Sequence, residues 1–136
     1  MAKRVLVPVD GSEQSEAAVA FVRGEWPDAE IVLLTVINPA DAVSDRSAFP
    51  TGAEKWYESV REEAHEALSA LASTVDGPVE QRVAVGRPAA TIVEAAADVD
   101  HVVLGSHGRT GLSRVVLGSV AEAVARRSPV PVTIVR

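Results

Sequence analysis

Short continuous apolar runs alternate along this chain with segments in which apolar residues recur every three or four positions. The first run, Val5 to Val9, shows no polar alternation, as expected of a strand covered on both faces. Asp10, Gly11 and Ser12 then supply a turn and a helix cap, and Ala17, Ala18, Phe21 and Val22 fall at helical spacing before Gly24 and Pro27 stop the helix. A second strand spans Ile31 to Ile37. Asn38 to Gly52, with Pro39, Pro50 and several small polar residues, reads as a long loop, either functional or a plain solvated connection. From Glu54 to Val75, the positions Trp56, Val60, Ala64, Ala67, Leu68, Leu71 and Val75 form one helical stripe with charges opposite. Gly77 and Pro78 end that helix and Val79 to Val85 is a third strand. Gly86, Arg87 and Pro88 lead into a short helix carrying Ile92, Val93, Ala96 and Ala97, with Pro88 in the first turn, where a missing N–H costs nothing. His101 to Leu104 is a fourth strand, and a glycine-rich segment runs on to Gly118 and Ser119. A helix from Val120 to about Arg127, a break at Ser128 and Pro129, and a last strand from Val130 to Val135 complete the pattern.

Strands alternating with helices predict an α/β fold: a single doubly wound, Rossmann-like domain over residues 1–136, with a five-stranded parallel sheet flanked by about four helices. No internal repeat or linker interrupts it. At 136 residues and 47% hydrophobic content, roughly two-thirds of the unfolded chain's surface can be buried without a staple. The absence of Cys removes disulfides, a cysteine nucleophile and thiolate metal sites. No apolar run approaches the roughly 20 residues of a membrane helix, and Met1 to Asp10 lacks the pattern of a signal peptide. The expected location is the cytoplasm, with no membrane partner.

Thirteen basic against nineteen acidic residues leave a net charge of -6, which repels nucleic-acid phosphates. Arg126, Arg127 and Arg136 form no basic stripe with interleaved aromatics, so no nucleic-acid partner is expected. Only Lys3 and Lys55 are lysines. That bias fits either adaptation to a high-salt cytoplasm, where screening offsets the self-repulsion of an acidic surface, or GC-rich codon usage.

Ligands of open α/β sheets bind beyond the carboxyl ends of the strands. Two segments converge there: Asp10 after the first strand, and residues 105–119 after the fourth. Gly105, Gly108, Gly111 and Gly118 permit close backbone approach, and the helix opening after Gly118 offers free N–H groups to an anion. Ser119 can donate to a phosphate oxygen, and Arg109 and Arg114 can add charge. The alternative is a turn-rich loop ending in a capping box, Ser119 to Glu122. Neither a GxxxxGK[ST] nor a GxGxxG pattern is present. Asp10 reads either as a ligand-binding acid or as a turn and capping residue. His107 lies in the loop without a partner acid, so it reads as a structural residue. His65 and His101 occupy ordinary positions, and no metal site can be assembled from these histidines.

On these residues the chain resembles the universal stress protein family, in its ATP-binding branch. The resemblance covers nearly the whole length: Val5 to Glu13, Leu33 to Ile37, Gly86 to Pro88, Val103 to Gly108, Gly118 to Glu122 and Pro129 to Val135. The family motif G-x2-G-x9-G-[ST] is complete in Gly105, Gly108, Gly118 and Ser119. The resemblance implies an adenine nucleotide alpha hydrolase-like fold and ATP, with Mg2+, as ligand. Gly105, Gly108, Gly118 and Ser119 would hold the phosphates, with the Val120 backbone assisting. Asp10 would accept from the ribose hydroxyls, and Pro8, Val9 and Val36 would line the adenine pocket. It further implies a homodimer formed through Val130 to Val135, where Pro129 and Pro131 limit the N–H groups free to pair.

Three functions follow as alternatives. The first is an ATP-binding, nucleotide-responsive regulatory dimer in stress adaptation. The second is a slow ATPase or self-phosphorylating enzyme using the same pocket, although Asp10 is the only acid obviously placed for catalysis. The third is a dimeric interaction module that needs no nucleotide.

Overall fold

The computed structural model describes residues 3–10, 13–44, 52–106 and 117–136. Its strands are β1 (Arg4–Pro8), β2 (Glu30–Ile37), β3 (Val79–Val85), β4 (His101–Gly105) and β5 (Val132–Val135). They form one sheet in the order β3-β2-β1-β4-β5, with every pairing parallel. This is the expected doubly wound α/β architecture. Helices α1 (Glu13–Glu25) and α3 (Ala53–Ala72) cover one face, and α4 (Pro88–Ala95) and α5 (Ser119–Arg127) the other.

The continuous apolar runs follow from this two-sided cover. Along β1, Val5, Val7 and Val9 enter the core under α1 and α3, while Leu6 enters the core under α4 and α5. β2 divides in the same way, with Ile31 and Leu33 on one side and Val32 and Leu34 on the other. Both parities of a central strand are therefore apolar because both faces are dry.

Among the boundaries that differ from the sequence pattern, three have a visible cause. The segment after β2 is not all loop: a fifth helix, α2 (Ala40–Ser44), begins there. Asn38 starts it, its side-chain oxygen accepting from the Ala40 N–H at 3.0 Å and its carbonyl from the Asp41 N–H. Helix α3 stops at Ala72, three residues early, because the Ser73 and Thr74 hydroxyls donate back to the Ala70 and Leu71 carbonyls, a local competition with the helix ladder. Val75 still packs on the core. Gly77, at φ 115, then makes a turn that a side chain would strain. Finally, β5 starts at Val132, since Ser128 Oγ bonds both the carbonyl and the N–H of Val130 and holds that residue out of the ladder.

Candidate functional site

The sheet changes direction between β1 and β4, and there it opens. β1 pairs with β2 over five residues and β4 with β5 over four, yet β1 and β4 share only the pairs Val5 with His101 and Leu6 with Val102. The cause lies in the sequence. Lys3 and Val9 hydrogen-bond toward β2, while the Arg4 carbonyl accepts from Asp100 on the β4 side. Even-numbered residues of β1 thus direct their backbone groups at β4. Pro8 is such a residue, and it has no N–H to give. The ladder ends before it, leaving a crevice at the carboxyl ends of β1 and β4, the place where open α/β sheets bind ligands.

Asp10 stands on one lip of this crevice. The Asp10 N–H donates to Ser15 Oγ at 3.1 Å, and Ser15 Oγ donates to Asp10 Oδ1 at 3.0 Å. Ser15 is buried in α1, but Asp10 is exposed. Thr35 Oγ1 of β2 donates to the Val9 carbonyl at 3.0 Å, fixing the strand end just before Asp10. Beside this lip a cavity of about 240 Å³ is lined by Val9, Asp10 and Val36 together with Asp41, Trp56 and Val60.

Gly105 and Ser106 form the other lip. A Cβ on Gly105 would lie 2.5 Å from Gln14 Cβ, so the absence of a side chain there is what lets α1 settle against β4. Gln14 Oε1 is buried without a hydrogen-bond partner. The Gly118 N–H donates to the Ser106 carbonyl at 2.7 Å. That bond draws the start of α5 to the end of β4. Gly118 is the N-cap of α5, at φ -64 and ψ 154, with no side-chain cap. Among the described residues no side chain caps the first-turn N–H groups of Ser119 and Val120, and the partial positive charge of the helix start lies at the crevice. The capping box with Ser119 as cap is not formed, because Ser119 is already the first helical residue.

The structure thus gathers Pro8, Val9, Asp10, Val36, Gly105, Gly118, Ser119 and Val120 at the carboxyl end of the sheet. Gly108 and Arg109 lie outside the described residues, as do His107, Gly111 and Arg114. His65 is exposed on α3. His101 opens β4 at the opposite end of the sheet, against Trp26, where burial and then the nearby Lys3 charge lower its pKa. Among the described residues no group of three or more acids and histidines could hold a metal ion. No described helix is long and apolar enough to cross a membrane.

Residues 1–136 match the family described as the universal stress protein family. The chain belongs to that family. It is 32% identical to universal stress protein MJ0577 of Methanocaldococcus jannaschii over 156 residues, covering all of this chain and 96% of that one. The solved structure of MJ0577 superposes with a TM-score of 0.83 over 99% of this chain and 96% of its own. Against the universal stress protein Rv2005c of Mycobacterium tuberculosis, also 32% identical, the chain spans 45% of the relative's length. A universal stress protein solved in complex with cAMP is 28% identical, with a TM-score of 0.65 over 99% of this chain and 97% of its own. An Arabidopsis thaliana family protein solved with AMP bound, 18% identical, shares the fold with a TM-score of 0.70 over 98% of this chain and 90% of its own.

Sequence pattern did not single out three residues of this universal stress protein's crevice. Ser15 and Gln14 sit in the first turn of α1, where polar residues pass as ordinary helix surface. Trp56 sits on the stripe of α3 and reads as core. The readable signal was position: Ser15 lies five residues beyond Asp10, and Gln14 is one helical step from it.

Proposed function

We propose that this universal stress protein binds an adenine nucleotide, with ATP as the working ligand, in the crevice between β1 and β4, and acts as a nucleotide-responsive regulator in the cytoplasm. The observation that carries the reading is the juxtaposition across the crevice of an exposed acceptor, Asp10, and an uncapped helix start, Gly118 to Val120. The donor set matches the ligand. Backbone N–H groups at the start of α5, with Ser119 Oγ, suit phosphate oxygens. The Asp10 carboxylate, held by Ser15, suits ribose hydroxyls, and Val9 and Val36 supply apolar wall. Gly105, Gly108 and Arg109 complete the phosphate cradle in this reading, and Mg2+ accompanies the triphosphate. The 28%-identical relative solved with cAMP supports an adenine nucleotide as the ligand class.

Residues 1–136 act as one domain in this reading, and two copies pair through β5. Binding shifts the protein between states only as far as ATP prefers one of them. The pairing has backbone support: Pro131 and Val135 direct their carbonyls at β4, so Val132 and Ile134 face outward from the sheet edge with their N–H groups intact. Pro131 withholds a donor from the β4 side, and the open edge keeps its own.

Calorimetric titration of nucleotide-stripped protein with Mg-ATP tests the reading, in parallel with Gly118→Val. The φ and ψ of Gly118 are values that Val adopts, so the variant places a side chain at the phosphate end without dihedral strain at that residue. One saturable site per chain, lost in the variant, is expected. Unchanged affinity in Gly118→Val, or no binding by the parent protein, overturns it.

A further inference from the structure

Beyond the crevice itself, the cavity beside Asp10 has its own chemistry. At about 240 Å³ it is smaller than the roughly 300–1,000 Å³ of complete small-molecule sites. It therefore holds part of a ligand. Among the described residues that line it, Asp10, Asp41 and Glu63 are acidic and none is a Lys, Arg or His. A phosphate is repelled from such walls, while the α5 start across the crevice attracts one. The two ends of the site therefore sort the two ends of a nucleotide. The end that enters the cavity is the uncharged one, a heteroaromatic base with its sugar.

Among the described residues, one aromatic side chain lines that cavity. Trp56, near the start of α3, is half-buried and shares the wall with Val36 and Val60. A flat indole beside an apolar wall, in a space too small for a whole nucleotide, is what stacks a base. We propose that Trp56 is a base-contacting residue, forming the stacking wall for the heteroaromatic ring of the bound nucleotide. The assignment rests on the nucleotide reading above and adds to it a residue and a ligand part.

The chain has two tryptophans, and they report from opposite ends of the sheet. Trp26 follows α1 and packs on His101 at the amino end of β4, with Lys3 over its ring. Trp56 lines the cavity at the carboxyl ends of β1 and β2. In a Trp26→Phe background the emission of Trp56 is read alone. Titration with Mg-ATP should change that emission with the same midpoint that calorimetry gives, and adenosine should change it too, while inorganic tripolyphosphate should not. Trp56→Leu should weaken ATP binding by about five-fold or more, the usual loss when a base loses its aromatic partner. Trp56→Phe should restore most of it, and the affinity for tripolyphosphate should be the same in all three proteins. If Trp56→Leu fails to fold, the emission titration still decides. ATP binding by calorimetry with unaltered Trp56 emission, or with full affinity in Trp56→Leu, overturns the stacking role and leaves the nucleotide reading standing. No ATP binding by the parent protein removes both.

Discussion

Ser15 Oγ accepts from the Asp10 N–H at 3.1 Å and donates to Asp10 Oδ1 at 3.0 Å, so one buried hydroxyl fixes both the backbone and the side chain of the crevice acid. Because Ser15 belongs to α1 and Asp10 ends the β1 segment, the pair also ties the helix to the strand end. The carboxylate is thereby held in a set orientation at the lip of the crevice.

Ser15→Ala removes that clamp at almost constant volume. The expected loss is about 1–2 kcal/mol of stability, since the hydrogen bond to a carboxylate goes while water reaches the exposed Asp10 and offsets part of it. ATP affinity should fall several-fold, because the acid must then be ordered at the moment of binding. Asp10→Ala should cost affinity at least as much. Urea unfolding and nucleotide titration of both variants measure the two effects, and an unaltered affinity in Ser15→Ala would show that the clamp serves folding alone.

The contact between Gly105 and Gln14 makes a sharper prediction. Gly105→Ala places a Cβ 2.5 Å from Gln14 Cβ, and the obstructing atom belongs to every residue except glycine. Gln14→Ala therefore does not relieve the clash. Gln14→Gly does, at a helix-propensity cost of up to about 1 kcal/mol. Gly105→Ala should lose about 1–3 kcal/mol, as overpacked cores do, and Gln14→Gly should recover part of that loss in the double variant although it destabilises the parent. Thermal unfolding of the four proteins of the cycle measures the coupling; additive effects would mean that α1 yields without cost.

Proline chemistry sets the expectation for self-association. Ile134 has its N–H on the open edge of β5, where proline is tolerated within a sheet. Ile134→Pro should fold, with some stability lost because Ile134 also packs on the core under α4 and α5. It should sediment as a monomer at micromolar concentration, where the parent is expected to be a dimer. A parent protein that is itself monomeric there would place no pairing at this edge.

The α/β class and the two-sided burial were legible because period and run length register which faces are covered: Leu6 and Val7 are both apolar, and both are fully buried. β3 was found with its observed bounds, Val79–Val85, because Pro78 and Gly86 bracket it. The meeting of Asp10 and Gly105 at one end of the sheet was legible because they follow and end strands that pair with each other. Less was visible where a side chain acts on distant backbone. The hydroxyls of Ser73 and Thr74 end α3 early and Asn38 starts α2, yet serine, threonine and asparagine occur as often in solvated loops. Pro8 is the instructive case: in one dimension it is a blemish in an apolar run, and only the parity of the ladder shows that its missing N–H opens the sheet on the β4 side.

His101 couples stability to pH at the end of the sheet remote from the crevice. Burial lowers its pKa, and the positive charge of Lys3 lowers it further. Its Nε2 shares a 2.7 Å hydrogen bond with Thr133 Oγ1 of β5. With the folded-state pKa below the unfolded value of about 6.5, the unfolded chain binds more protons in the interval between the two. The contribution is therefore complete above about pH 6.5, falls as the pH drops from there toward the folded-state pKa, and is constant below it. The melting temperature should fall more steeply between pH 7.5 and 5 in the parent than in His101→Gln, which carries the same carboxylates. Burial being the larger cause, Lys3→Met should keep most of that extra steepness, and added salt, which screens an exposed lysine but not burial, should do the same. Parallel pH profiles for parent and His101→Gln would show that the imidazole titrates as freely in the folded protein as in the unfolded chain.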